Sequence, residues 1–110
     1  MSEGILQKLH SEVDIEIVKL LLSVIPSTWH SIKLEVEYKI LPNGDEGFPM
    51  NISDIEGNSE IIIPPDDLYS KICEHSNIFK RYGKQWKRLI YTVFFDNEKK
   101  DWKFEIDYEY

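Results

Sequence analysis

The strongest constraint in this chain is the strict alternation of Trp102–Tyr110. Trp102, Phe104, Ile106, Tyr108 and Tyr110 fall on one side of an extended backbone, and Lys103, Glu105, Asp107 and Glu109 fall on the other. A helix would scatter both sets around its circumference. A period of two, with aromatic and β-branched residues on one side, specifies a half-buried strand. The preceding segment, Lys87–Phe95, carries Leu89, Tyr91, Val93 and Phe95 on one side and Ile90 and Phe94 on the other, so it reads as a more central strand. The polar run Asp96–Asp101 joins the two as an antiparallel hairpin. The rest of the chain must then supply a layer that covers the aromatic side.

Helices are the expected cover. Ile5, Leu9, Val13, Ile17, Leu20 and Val24 recur at three- and four-residue spacing, which predicts a helix over 3–25 stopped by Pro26. A second helix is predicted over 65–82, with Leu68, Ile72, His75, Phe79 and Tyr82 as its stripe. Pro65 suits a first helical position, Asp66 and Asp67 suit the positive end of the dipole, and Gly83 suits the stop. Between the helices, Ile32, Leu34, Val36, Tyr38 and Ile40 alternate with charged residues and predict a strand over 31–41. Pro42-Asn43-Gly44-Asp45 is a turn. Residues 48–56 are a weaker strand, and 59–63 a short further one. The order α-β-β-(β)-α-β-β reads as one α+β domain spanning 1–110, an antiparallel sheet of four to five strands with two helices on one face. Expected core residues include Leu9, Leu20, Leu34, Val36, Phe79, Val93, Trp102, Phe104 and Ile106.

The formal net charge of −7 argues against nucleic acid as a direct ligand and suits a basic partner. Cys73 is the lone cysteine, so no intramolecular disulfide can form. The opening residues lack a secretory leader pattern, and the apolar stretch Ile15–Ile25 is too interrupted and short to span a bilayer. A cytoplasmic protein is expected, with no membrane partner.

Alternation also predicts what the outer sheet face carries. Glu35, Glu37, Glu105, Asp107 and Glu109 should share it, with Ile90 and Phe94 exposed among them. Apolar residues rimmed by one sign of charge suit protein docking. A second acidic surface is the loop bearing Asp45, Glu46, Asp54, Glu56 and Glu60, since no Lys or Arg occurs between Asp45 and Asp67.

No catalytic, cofactor-binding or metal-ligating residues stand out. His10, His30 and His75 are far apart in sequence, and Cys73 and His75, two apart on a helix, point in different directions. His75 reads as a hydrogen-bonded core histidine, Cys73 as a small buried hydrophobe, and His10 as an exposed helix residue. No phosphate-cradling glycine loop, nucleophile elbow, HExxH or CxxC occurs. The expectation is a non-enzyme without cofactor.

Three landmarks together resemble the YezG-like family of bacterial immunity proteins. They are the apolar helix closing on Ile25-Pro26-Ser27-Thr28-Trp29, the helix opening with Pro64-Pro65-Asp66-Asp67, and the closing strand Trp102-Lys103-Phe104-Glu105-Ile106-Asp107-Tyr108-Glu109-Tyr110. The resemblance implies an antitoxin that binds and blocks the toxic C-terminal domain, usually a nuclease, of a secreted or contact-delivered polymorphic toxin, as in contact-dependent growth inhibition. Two other readings stay open: a protein-binding adaptor or oligomeric scaffold, and a small hydrolytic enzyme using a histidine beside a carboxylate.

Overall fold

The computed structural model describes the backbone of residues 2–57 and 61–110 and the side chains of 7–57 and 61–110. The first helix, α1, runs Ser2–Val24 and ends just before Pro26, whose ring and missing N–H forbid another turn. Its buried stripe is Val13, Asp14, Ile17, Val18 and Leu21. That stripe is rotated from the expected one. Leu9 and Leu20 lie half-buried at its margin, and the side chain of Ile5 lies outside the described residues.

The chain then forms β1 (Ser31–Glu37), β2 (Lys39–Ile40), β3 (Glu46–Gly47) and β4 (Met50–Ser53). Val36 opposes Met50 across β1 and β4, and Lys39 opposes Gly47 across β2 and β3. Both pairings keep one register, so these strands are a single long hairpin with an interruption. Pro49 causes it. Its carbonyl accepts the Glu37 N–H at 2.9 Å, but it has no N–H to return the bond. The strand expected over 31–41 is therefore split at Tyr38, whose N–H turns to the Lys87 carbonyl at 2.8 Å. The tip closes through Gly44 at φ +88°, a conformation that glycine adopts without steric cost. Of the strand expected over 48–56, only β4 forms. Of the strand expected over 59–63, residues 61–63 form no strand, and 58–60 lie outside the described residues.

The second helix, α2, spans Asp66–Arg81, with Asp66 and Asp67 in its first turn and Lys80 and Arg81 in its last. Pro65 is the residue before the first turn rather than within it. Gly83, at φ +66°, closes the helix, its N–H bonded to the Lys80 carbonyl at 3.0 Å. The hairpin β5 (Arg88–Asp96) and β6 (Asp101–Glu109) follows in the expected register of facing, with Val93 opposite Phe104 and Tyr91 opposite Ile106.

The main sheet has the order β4-β1-β5-β6, antiparallel throughout, and the fold is α+β. Ile32, Leu34 and Val36 of β1 and Leu89, Tyr91 and Val93 of β5 are sealed in one core with Ile17 and Leu21 of α1, Leu68 and Ile72 of α2, and Trp29 and Trp86. Phe104 departs from expectation. It faces the helices but remains 36% exposed, because it lies on the outermost strand, beyond the reach of a helix layer centred on β1 and β5. Trp102, Ile106 and Tyr108 are half-buried at the same margin.

Candidate functional site

Strand register fixes the outer face residue by residue. Glu35 lies opposite Ile90, which lies opposite Asp107; Lys33, Thr92 and Glu105 form the next row, and Ser31, Phe94 and Lys103 the one after. Arg88 stands between Glu37 and Glu109. All seven residues predicted for a docking surface (Glu35, Glu37, Ile90, Phe94, Glu105, Asp107 and Glu109) therefore share one side of the sheet. The alternation that buries β1 and β5 on one face leaves them no other direction.

The electrostatics differ from the sequence expectation, because Lys33, Arg88 and Lys103 interleave with the acids. Arg88 pairs with Glu35 and, at 3.4 Å, with Glu109; Lys33 approaches Glu35 at 3.1 Å, and Lys39 approaches Glu37 at 3.2 Å. Hydrogen bonds from Lys33 and Arg88 hold the Glu35 carboxyl below its ordinary value. Lys103 is drawn toward Asp96 at 2.8 Å. Glu105 and Asp107 alone among the five acids hold no cation among the described residues. Ile90 and Phe94 are half-buried rather than exposed, since each sits on a central strand with a neighbour on both sides, Ile90 between Glu35 and Asp107 and Phe94 between Ser31 and Lys103. The uncommitted negative charge is thus concentrated on β6, beside Ile90 and Thr92.

The acid-rich loop is more dispersed. Asp54 is buried, accepting from Ser31 Oγ at 2.8 Å and from the Glu56 N–H at 3.0 Å. Glu46 accepts the Tyr38 hydroxyl and pairs with Lys80, while Asp45 is engaged with Asn43 at the hairpin tip. Glu56 is exposed, and Glu60 lies outside the described residues. The acids placed here mainly hold the hairpin and the following turn.

Sequence reasoning missed a buried polar cluster. Asp14, 3% exposed at its side chain, accepts the Tyr91 hydroxyl at 2.5 Å and the His10 Nδ1–H at 2.8 Å, with His75 Nε2 at 3.2 Å. Burial pushes the Asp14 carboxyl up, but His75, Tyr91 and His10 outweigh it and hold the group below its ordinary value. Burial and the Asp14 charge push the Tyr91 phenol well up. His10 is therefore half-buried and bonded, not the exposed residue expected, whereas His75 is the sealed core histidine expected. Cys73 is half-buried, and burial pushes its thiol up. The signal was present: His10 and Asp14 are four apart, and Asp14 interrupts an apolar stripe.

Two histidines and a carboxylate within 4.8 Å invite comparison with a metal centre. The donor chemistry opposes it. Trp86 donates its Nε1–H to His75 Nδ1 at 3.1 Å, so Nδ1 carries no proton and neutral His75 must carry it on Nε2. That proton points toward Asp14, at an angle too poor for a full hydrogen bond, and leaves no lone pair for a metal. Substrate access is equally restricted, because Asp14, His75 and Tyr91 are all buried. The arrangement ties α1, α2, β5 and the Trp86 segment together through one charged centre.

No protein-family model matches the chain, and no curated protein matches it significantly. Among the described residues, no helix is long and apolar enough to cross a membrane.

Proposed function

We propose that this protein is a cytoplasmic immunity protein that binds and neutralises the C-terminal toxic domain, a basic nuclease, of a secreted or contact-delivered bacterial toxin. The observation that carries the reading is the pair Glu105 and Asp107, which hold no cation among the described residues and lie beside Thr92 and Ile90 on the sheet face away from the helices. The net charge of −7 and the resemblance of the closing strand to immunity proteins support it. A nuclease grips phosphates with Lys and Arg, and carboxylates can occupy those same donors. Steering by exposed acids speeds encounter, while Ile90 and Phe94 supply apolar area that slows dissociation. No side chain of this chain needs to perform chemistry.

Co-expression with a basic C-terminal toxin domain taken from the genes flanking this one tests the reading. The wild type should rescue growth, and Glu105→Lys with Asp107→Lys should lose rescue while remaining folded and abundant. Failure of the wild type to bind or rescue would remove the function. The hydrolase reading has one specific observation, His10 beside Asp14. His10→Gln should nevertheless retain protection, and its loss in a folded variant would favour the enzyme.

A further inference from the structure

We propose that β6 takes up an extended partner segment as an added strand, one that alternates basic and apolar side chains. This deepens the reading of the acidic face as a docking surface and rests on it. The argument begins with backbone direction. The Phe95 N–H bonds the His30 carbonyl, and in the same register Leu89, Tyr91 and Val93 oppose Val36, Leu34 and Ile32, so odd-numbered residues of β5 turn their amides toward β1. Lys87, just before β5, departs from this, its carbonyl accepting from Tyr38 while its N–H donates to the Glu109 carbonyl. Even-numbered residues of β5 then bond β6, and their partners are its odd-numbered residues: Ile90 with Asp107, Thr92 with Glu105, and Phe94 with Lys103. The amides and carbonyls of Trp102, Phe104, Ile106 and Tyr108 consequently point away from the sheet.

β6 is the last strand of the sheet, and among the described residues no strand pairs with its outer edge. It is nine residues long and contains no proline. Natural edges are usually shortened, bulged or blocked; the opposite edge, β4, has only four residues and follows Pro49. The side chains flanking the open edge define the visitor. On the helix side, Phe104 is 36% exposed and Tyr110 63%, leaving apolar surface for the visitor's apolar side chains. On the other side, Glu105 and Asp107 offer uncommitted carboxylates to its basic ones. A second copy of this chain would bring another −7 charge and another acidic β6, which disfavours self-pairing.

The test uses a synthetic peptide alternating lysine and valine over the length of β6, with a glutamate-for-lysine version as control. Amide exchange followed by NMR in the free protein should be fast at Phe104, Ile106 and Tyr108 and slow at Lys103, Glu105 and Asp107. The lysine peptide should slow the even-numbered amides by about tenfold or more, and the glutamate peptide should bind at least about tenfold more weakly. Ile106→Pro removes an outward N–H without touching the β5 ladder, so it should abolish this protection while the odd-numbered amides stay slow. No peptide binding, or binding that leaves the even-numbered amides fast, overturns the proposal. A dimer dissolved by Ile106→Pro would assign the edge to a second copy and overturn it too. If Glu105→Lys with Asp107→Lys abolishes toxin binding while Ile106→Pro does not, the docking face stands and the edge fails. Peptide capture without toxin binding would instead keep the edge and remove the toxin.

Discussion

Removing one oxygen atom, by Tyr91→Phe, should destabilise this protein by about 2 kcal/mol at neutral pH, within the range for a hydrogen bond to a charged group. The ring of Tyr91 is fully buried, so phenylalanine fills the same space and no cavity forms. What disappears is the donor 2.5 Å from Asp14 Oδ1. Asp14 keeps His10 and His75, so the loss stays well short of orphaning a buried charge. For a chain of this size the cost corresponds to a fall in Tm of about 8 °C. The pH dependence has a definite sign. The folded Asp14 carboxyl is held below its unfolded value of 3.8, so its contribution is complete above that pH and is lost as pH falls through the folded value. The difference between wild type and Tyr91→Phe should therefore narrow on acidification, toward the ~1 kcal/mol of a neutral hydrogen bond. Urea denaturation followed by tryptophan fluorescence, at pH 7 and at the lowest pH where both proteins remain folded, measures it. A difference below about 0.5 kcal/mol at pH 7, or one that does not change with pH, would refute a charged Asp14 at the centre of the cluster.

Other outcomes follow from the same structure. Phe104→Ala should cost only about 1–2 kcal/mol, because the ring is part-exposed, whereas Ile17→Ala, fully buried, should cost about 2–5 kcal/mol; chemical denaturation of both compares them directly. Glu105→Lys with Asp107→Lys should shift stability by less than about 0.5 kcal/mol, yet slow association with a basic partner and weaken its salt dependence, as stopped-flow mixing across ionic strengths would show. Imidazole ¹⁵N spectra should find His75 protonated at Nε2, and a proton on Nδ1 would contradict the Trp86 hydrogen bond. On the alkaline side, the raised Tyr91 phenol keeps its full contribution below its unfolded value of 10.0 and loses it as pH rises through the folded one, so an alkaline melting series should show stability falling above pH 10.0.

The sequence by itself determined the two long helices, the β5–β6 hairpin and the facing of the residues along β1, β5 and β6, whereas Ile40, expected to face the core, is exposed on β2. These properties come from local periodicity, and a side chain's direction along a strand needs no knowledge of the neighbour. The residues sharing the outer sheet face were legible on that basis, as was the burial of His75 on its helical stripe. Three things were decided only by tertiary structure, because each depends on distances between segments remote in sequence. Sheet order set β6 at the rim, so Phe104, with the same pattern as Val93, is part-exposed while Val93 is sealed. Strand pairing brought Arg88 beside Glu35 and Glu109, narrowing an acidic row to Glu105 and Asp107. Packing of α1 against α2 and β5 gathered His10, His75 and Tyr91 around the Asp14 carboxylate, since a buried charge must find its donors wherever the fold supplies them.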